Sequence, residues 1–298
     1  MNGKSLAKTV AIGLSLMVFG MFIPVIVVYT LYFFLTGDQR PEPASQTLTC
    51  DGPTDTASER QIHFERIIAL SGCELVMIGH TVDVLEYEPN TSINLTHTKV
   101  GSFQARGAAA SAEERAELTL VRVIMDQPTR ITEARIDAQL LEAPVLELEH
   151  TDAILRALTI PKLRVQDANV TLKEANLEEL HIGPGGVLSV PVFRTNFGEL
   201  VMEGEATNKA LADIQNSFIP RVTLGPHSEL TLRGDITDAL TMGPSSYLVV
   251  QGSLSTEEFH GDPDAHIRVR NFRIDIDPEI FSPANLVIDP PPPLPQRP

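Results

Sequence analysis

From Ile62 to Ile274 the apolar residues fall at i and i+2 in short runs, with polar residues between them. CELVMIGHTVDVLEYE (73–88), TSINLTHTKVGSF (91–103) and LTLVRVIM (118–125) are rich in β-branched side chains and alternate in part, which predicts strands with one buried face. Between 131 and 190 the runs shorten to Val145/Leu146/Leu148, Leu158/Ile160, Leu163/Val165, Val170/Leu172 and Leu180/Ile182. Strands of three or four residues suit the tight turns of a β-solenoid better than a sandwich. The expected fold is therefore a mainly-β domain over 62–278 with solenoid-like coils from about 131 to 254. An antiparallel meander or sandwich is the alternative. Helical spacing and propensity predict two short interruptions, AAASAEERAE (108–117) and ATNKALADIQNSF (206–218), the second ended by Pro220.

One segment breaks the alternation altogether. Val10 to Leu35 contains no charged residue, and a helix over that run would rise about 39 Å, more than the roughly 30 Å of a bilayer core. It is too long for the apolar core of a secretory signal, and LTGDQRPEP after it has no small-x-small cleavage site. The expectation is a single N-terminal transmembrane helix over 9–36, a signal-anchor, preceded by a cytoplasmic stub of residues 1–8. Tyr29, Tyr32, Phe33 and Phe34 cluster at its far end, where aromatic rings favour the headgroup region. Lys4 and Lys8 before the span outweigh Arg40 after it, which Asp38 and Glu42 flank. That bias places the protein in the inner membrane with the C-terminal domain periplasmic. Residues 37–61 read as a polar linker, and 279–298 as an extended Pro-rich tail.

Three segments share one pattern: LHIGPGGVLSV (180–190), VTLGPHSELTL (222–232) and LTMGPSSYLVV (240–250). Each is apolar-x-apolar, Gly-Pro, one free position, Ser or Gly, one more free position, then apolar-x-apolar. Gly183, Gly225 and Gly243 are read as supplying backbone freedom at a corner. Pro184, Pro226 and Pro244 hold the preceding residue extended and stop the ladder. The spacing from Gly225 to Gly243 suits one coil of a three-sided solenoid. The longer spacing from Gly183 to Gly225 predicts an insertion around the second helix. VTLGPHSELTLRGDITDALTMGPSSYLVVQGSL resembles the coils of bactofilins, β-helical polymer-forming proteins of bacteria; the match is best over 221–254, loose over 131–192 and absent over 37–130. The resemblance implies a right-handed β-helix with an aliphatic core, end-to-end self-association and flanking tails. Bactofilins work on the cytoplasmic side, whereas the flanking charges here point to export.

Charge and candidate chemistry narrow the functional classes. Beyond residue 36 the chain carries 21 basic and 39 acidic side chains, a formal −18, with no basic stripe, so nucleic acid is not an expected partner. Cys50 and Cys73 are the only cysteines; in an oxidising compartment they are expected to pair, adding about 3 kcal/mol on the chain-entropy estimate. The alternative is two free thiols, with Cys73 buried beside Leu75 and Val76. HGDPDAH places His260, Asp262, Asp264 and His266 at alternating positions, a mixed donor set for Zn²⁺ or Mn²⁺. Gly261 and Pro263 favour a polar turn there instead. Glu147, Glu149, Arg164 and Lys173 are expected on the wet outer face of the coils. With no hydrolase, zincin, P-loop or dinucleotide motif, the expectation is a non-enzymatic cell-envelope scaffold without cofactors. Its partners are the membrane through 9–36 and envelope proteins or copies of itself. A lipid-handling or transport-accessory protein with an elongated β-fold is the alternative.

Overall fold

The structure is a computed structural model and describes residues 46–56, 61–191, 195–252, 254–270, 272–273 and 286–289. The expected anchor (9–36), its stub (1–8) and most of the tail lie outside those residues. Among the described residues no helix is long and apolar enough to cross a membrane.

Alternation at period two puts every second side chain on one face of a strand. Here those faces turn inward around a common axis. Phe64 sits beside Val82 and Val82 beside Val100, each 18 residues on and each in parallel register. On a second side Leu75, Ile93, Leu118, Ile136, Ala153 and Val170 form a continuous ladder, which runs on through Leu188, Ala212, Leu230 and Leu248 to Ile267. The fold is a β-solenoid of about twelve turns. At about 4.8 Å per turn such a stack is roughly 58 Å long. Its interior is aliphatic, and Ile67, Leu85, Leu120, Leu146, Leu163, Leu200 and Leu240 are wholly buried. Each such side chain contributes about 1.5–3 kcal/mol by leaving water.

Three runs make a turn. In the strand Ala210–Leu224 the register shifts between Gln215 and Ser217 and again between Ile219 and Arg221, marking two corners inside one continuous strand. The longest run, called the long face here, holds the ladder from Leu75 to Ile267. A short run is joined through Lys99, Ile124, Glu142 and Thr159. The remaining run, here the charged face, is built from Thr129–Thr132, Val145–Glu149, Lys162–Gln166 and their successors.

Several sequence expectations change. The solenoid starts well before residue 131: Gln46–Cys50 and Pro53–Asp55, inside the expected linker, already pair in parallel with His63–Ala69 and Glu74–Ile78. The helix expected over 108–117 is reduced to a single 3-10 turn, Ala112–Glu114. The helix expected over 206–218 is the first part of the strand Ala210–Leu224, because Ala210, Ala212 and Ile214 alternate inward and core packing outweighs helix propensity. Pro220 sits at that strand's second register shift, where no ladder hydrogen bond is asked of it. Within the expected tail, Leu286–Asp289 adds a further strand beside Ile267–Arg270. The span from Gly183 to Gly225 holds a whole extra turn, since Leu180 pairs with Leu200 and Leu200 with Val222.

Candidate functional site

The corners of the solenoid are built from one repeated backbone device. All twelve non-glycine residues with positive φ among the described residues fall in two columns, one residue per turn. Asn90, Glu133, His150, Asp167, His227 and Ser245 line the corner leading into the long face; His97, Arg122, Leu140, Ala157, Glu174 and Asn216 line the corner leaving it. The left-handed conformation costs an L-residue about 1–2 kcal/mol, and here a non-glycine residue adopts it in six turns at each corner.

Immediately after the first column comes a second constraint. Cys73, Thr91, Ala116, Ala134, Thr151 and Ala168, and then Gly186, Ala210, Ser228, Ser246 and Ala265, are all buried and all small. The tight corner leaves no room for a larger side chain. Its hydroxyls turn to backbone: Ser228 Oγ donates to the Met202 carbonyl at 3.0 Å and Thr91 Oγ1 to the Glu88 carbonyl at 2.9 Å. Thr151 Oγ1 has no hydrogen-bond partner.

The three Gly-Pro segments occupy this corner, but their glycines do not supply the positive φ. That conformation falls two residues later, at Gly185, His227 and Ser245. Gly225 and Gly243 are needed for closeness: a Cβ on Gly225 would meet the Met202 carbonyl oxygen at 2.9 Å, and one on Gly243 the Gly225 carbonyl carbon at 3.1 Å. Nor do the prolines stop the ladder. The carbonyl oxygens of Pro184, Pro226 and Pro244 accept from the N–H groups of Asp167, Gly204 and His227 in the neighbouring turns.

Both long turns spend their extra residues at this same corner. Ile93 pairs with Leu118 and Leu188 with Ala212, steps of 25 and 24 residues, against 21 from Thr54 to Leu75 and 17 to 19 in the other turns of the long face. The first insertion, 106–115, is held where the Ala109 N–H donates to Glu133 Oε2 at 3.3 Å. The second, 203–209, is held where Asn208 Nδ2 donates to Asp167 Oδ1 at 2.6 Å. Between them His150 Nδ1 lies 3.5 Å from Glu133 Oε1. A cleft opens on each side of this insertion-flanked stretch. One, of about 410 Å³ on the long face, is lined by Arg135, Asp137, Asp152 and the 39 % exposed Ile154. The other, of about 260 Å³ on the charged face, is lined by Arg130, Glu147, Glu149, Arg164 and His181. This seam, with a cleft on either flank, is the candidate functional surface.

Its charges are largely spent between turns. Arg164 Nη1 pairs with Glu147 Oε1 at 2.9 Å, Arg115 Nη1 with Asp152 Oδ2 at 2.9 Å, and Arg130 and Arg156 pair with Glu149 and Asp137. Lys162 donates to Glu179 at 2.7 Å, and that hydrogen bond holds the Glu179 carboxyl below its ordinary value. Exposed pairs of this kind are worth about 0–1 kcal/mol each. They favour one register over its neighbours.

The sequence-predicted donor set does not converge. His260 lies in the strand Glu258–Gly261, and His266 begins the strand His266–Arg270 beyond the turn. The Asp264 N–H donates to Asp262 Oδ1 at 2.9 Å and the Ala265 N–H to the Asp262 carbonyl at 3.0 Å, so Asp262 is engaged in closing the corner. His266 faces Tyr247, ring centroids 6.4 Å apart. Among the described residues no group of three or more His, Cys, Asp or Glu is placed to hold a metal ion. Cys50 and Cys73 are joined as a disulfide with Cα atoms 5.5 Å apart, linking the first turn to the second. What sequence reading missed is His80. It is 1 % exposed, accepts the Ile62 N–H on Nδ1 at 3.1 Å and donates from Nε2 to the Thr56 carbonyl. Its only sequence signal is a histidine directly after Gly79, at a corner.

No protein-family model, no curated protein and no solved structure matches this chain.

Proposed function

We propose that the protein is a membrane-anchored, non-enzymatic scaffold or assembly component of the cell envelope. Residues 9–36 hold it in the inner membrane, and the solenoid stands on the extracytoplasmic side. The observation that carries the reading is the unbroken aliphatic ladder from Leu75 to Ile267, which makes a stiff rod out of a chain whose apolar N-terminal segment suits a tether. The Cys50–Cys73 disulfide fits an oxidising compartment. The ionisable groups along the seam are engaged in pairs between turns, as suits a structural surface. Partner proteins are assigned to the seam, where both insertions project beside the two clefts; repeat proteins commonly bind on the side that carries their insertions. A lipid-handling role asks for an apolar trough, and the interior described here is filled by the protein's own side chains. The bactofilin-like corners over 221–254 support the coil architecture and leave the role to the anchor and seam.

A topology reporter fused after Pro298, active only outside the cytoplasm, tests the placement, and photo-crosslinkers at Glu117 and Gln166 in cells test the partner surface. Reporter activity with crosslinks to an envelope protein supports the proposal. A silent reporter, or crosslinks no different from those of a probe at Phe218 on the short run, overturns it.

A further inference from the structure

The first turn of the solenoid differs from those it precedes. Among its described residues it contributes only Leu48 and Cys50 as inward apolar groups, and Leu48 is half-buried. The second turn presents Phe64, Ile67, Leu75 and Met77, all buried. The first turn's second strand, Pro53–Asp55, is three residues long and opens on a proline, which has no N–H to offer a neighbouring strand. Short strands and prolines at an edge are how sheets avoid adding strands from other molecules.

This sparse turn is also fastened with unusual care. The disulfide ties Cys50 to Cys73. The buried ring of His80 reaches the Thr56 carbonyl with one nitrogen and the Ile62 N–H with the other, clamping the chain on both sides of the crossing between the first two turns. The Thr56 N–H donates to the Val76 carbonyl at 3.0 Å. Phe64 packs edge-on against His80, ring centroids 5.8 Å apart. A turn with little apolar surface of its own would otherwise fray, because each turn of a repeat stack is stabilised only by its neighbours.

The geometry points to an end cap: the first turn, fastened by the disulfide and by His80, closes this end of the solenoid to a second copy of the chain. Copy-on-copy stacking is thereby confined to the opposite end, and an open filament built from both ends is excluded. The surface held shut is the edge of the second turn, whose strands His63–Ala69 and Glu74–Ile78 pair with the first turn instead of a copy. The inference refines the scaffold reading by limiting which surface of the rod can meet a copy of itself. It rests on the geometry of the first two turns, and its test reads crosslinking of the purified protein, so its failure and that of the topology reading are distinguishable.

The experiment uses the full chain in detergent micelles with a photo-crosslinking residue at the exposed position 47. It compares the native background, Cys50→Ser/Cys73→Ser, and Pro53→Val with the disulfide intact. Limited proteolysis within 46–56 reports release of the cap, and circular dichroism reports the remaining turns. The expected result is background copy-to-copy crosslinking in the native protein and a several-fold rise in both variants. In the cysteine variant, cleavage within 46–56 should also be faster. Native protein that crosslinks through position 47 overturns the inference. So does a variant whose cap is released, with its remaining β signal intact, yet whose crosslinking stays at background.

Discussion

The phenolic hydroxyl of Tyr87 donates to the carbonyl oxygen of Thr132, 45 residues along the chain, at 2.6 Å. The ring is 1 % exposed and lies in the ladder between Ala69 and Ala105, two small neighbours that leave it room. Burial pushes the phenol well above its ordinary value, against the lowering effect of the bond to Thr132. Tyr87→Phe keeps the packing and removes the hydrogen bond to the half-buried Thr132, so it is expected to cost about 0.5–1.5 kcal/mol in denaturant unfolding. The raised value also fixes a pH dependence. Because the folded state resists ionisation, the contribution is complete below the unfolded phenol value of about 10 and is lost as pH rises beyond it. Native protein should lose stability above about pH 10 more steeply than Tyr87→Phe does. Parallel alkaline curves for the two proteins would show that Tyr87 is not the group responsible.

Thr151 is a different case. Its hydroxyl is buried without a partner, in a column whose neighbours are Ala134 and Ala168. Thr151→Ala should therefore raise stability by up to about 1 kcal/mol, since an unpaired buried hydroxyl costs more than the lost methyl returns. Calorimetry reads this directly, and a fall in melting temperature would mean the hydroxyl is satisfied.

At the other corner, Ala157 has φ 52°. Relief of the left-handed strain, about 1–2 kcal/mol, should exceed the about 0.5–1 kcal/mol that glycine's flexibility costs. Ala157→Gly is expected to leave stability unchanged or raise it by up to about 1 kcal/mol. Ala153→Gly, four residues away in an inward strand position, should lower it. Chemical denaturation of the pair separates backbone strain from loss of packing.

Gly234 carries the opposite constraint. A Cβ there would fall 1.8 Å from the Ser217 carbonyl oxygen, closer than any relaxation of side chains can absorb. Gly234→Ala should cost at least about 2–3 kcal/mol, with hydrogen-exchange protection lost first in the turns around 217 and 252. Uniform loss across all turns would indicate a fully cooperative rod.

Much of this architecture is legible in the sequence because an inward ladder requires apolar residues at period two, and Gly-Pro marks the corners at 183, 225 and 243. The early turns escape because their corners carry Asn90, His97 and Arg122, which announce nothing by themselves. Six of the twelve left-handed positions are Asn, Asp or His, the side chains that tolerate this conformation best, and the pattern shows only once the turns are in register. The strand over 210–218 was hidden by alanine, which helices favour and tight turns also accept. Arg164 and Lys173 are exposed as the alternation predicts, while Glu147 and Glu149 point outward and are half-buried under their partners. Partnerships such as Arg164 with Glu147 join residues 17 apart and have no signal until the turn length is known. His80 was illegible for the same reason: its partners lie 18 and 24 residues away.

The placing of both insertions at one corner separates two quantities that most folds tie together, the amount of chain and the height of the structure. A turn of 25 residues and a turn of 17 climb by the same interstrand spacing, and the surplus is shed sideways. The rod can therefore gain or lose sequence along that line while every ladder above and below keeps its rank. Ala206 and Thr207, the two residues between the paired Glu205 and Asn208, are where foreign sequence can be spliced in without altering the reach of the molecule.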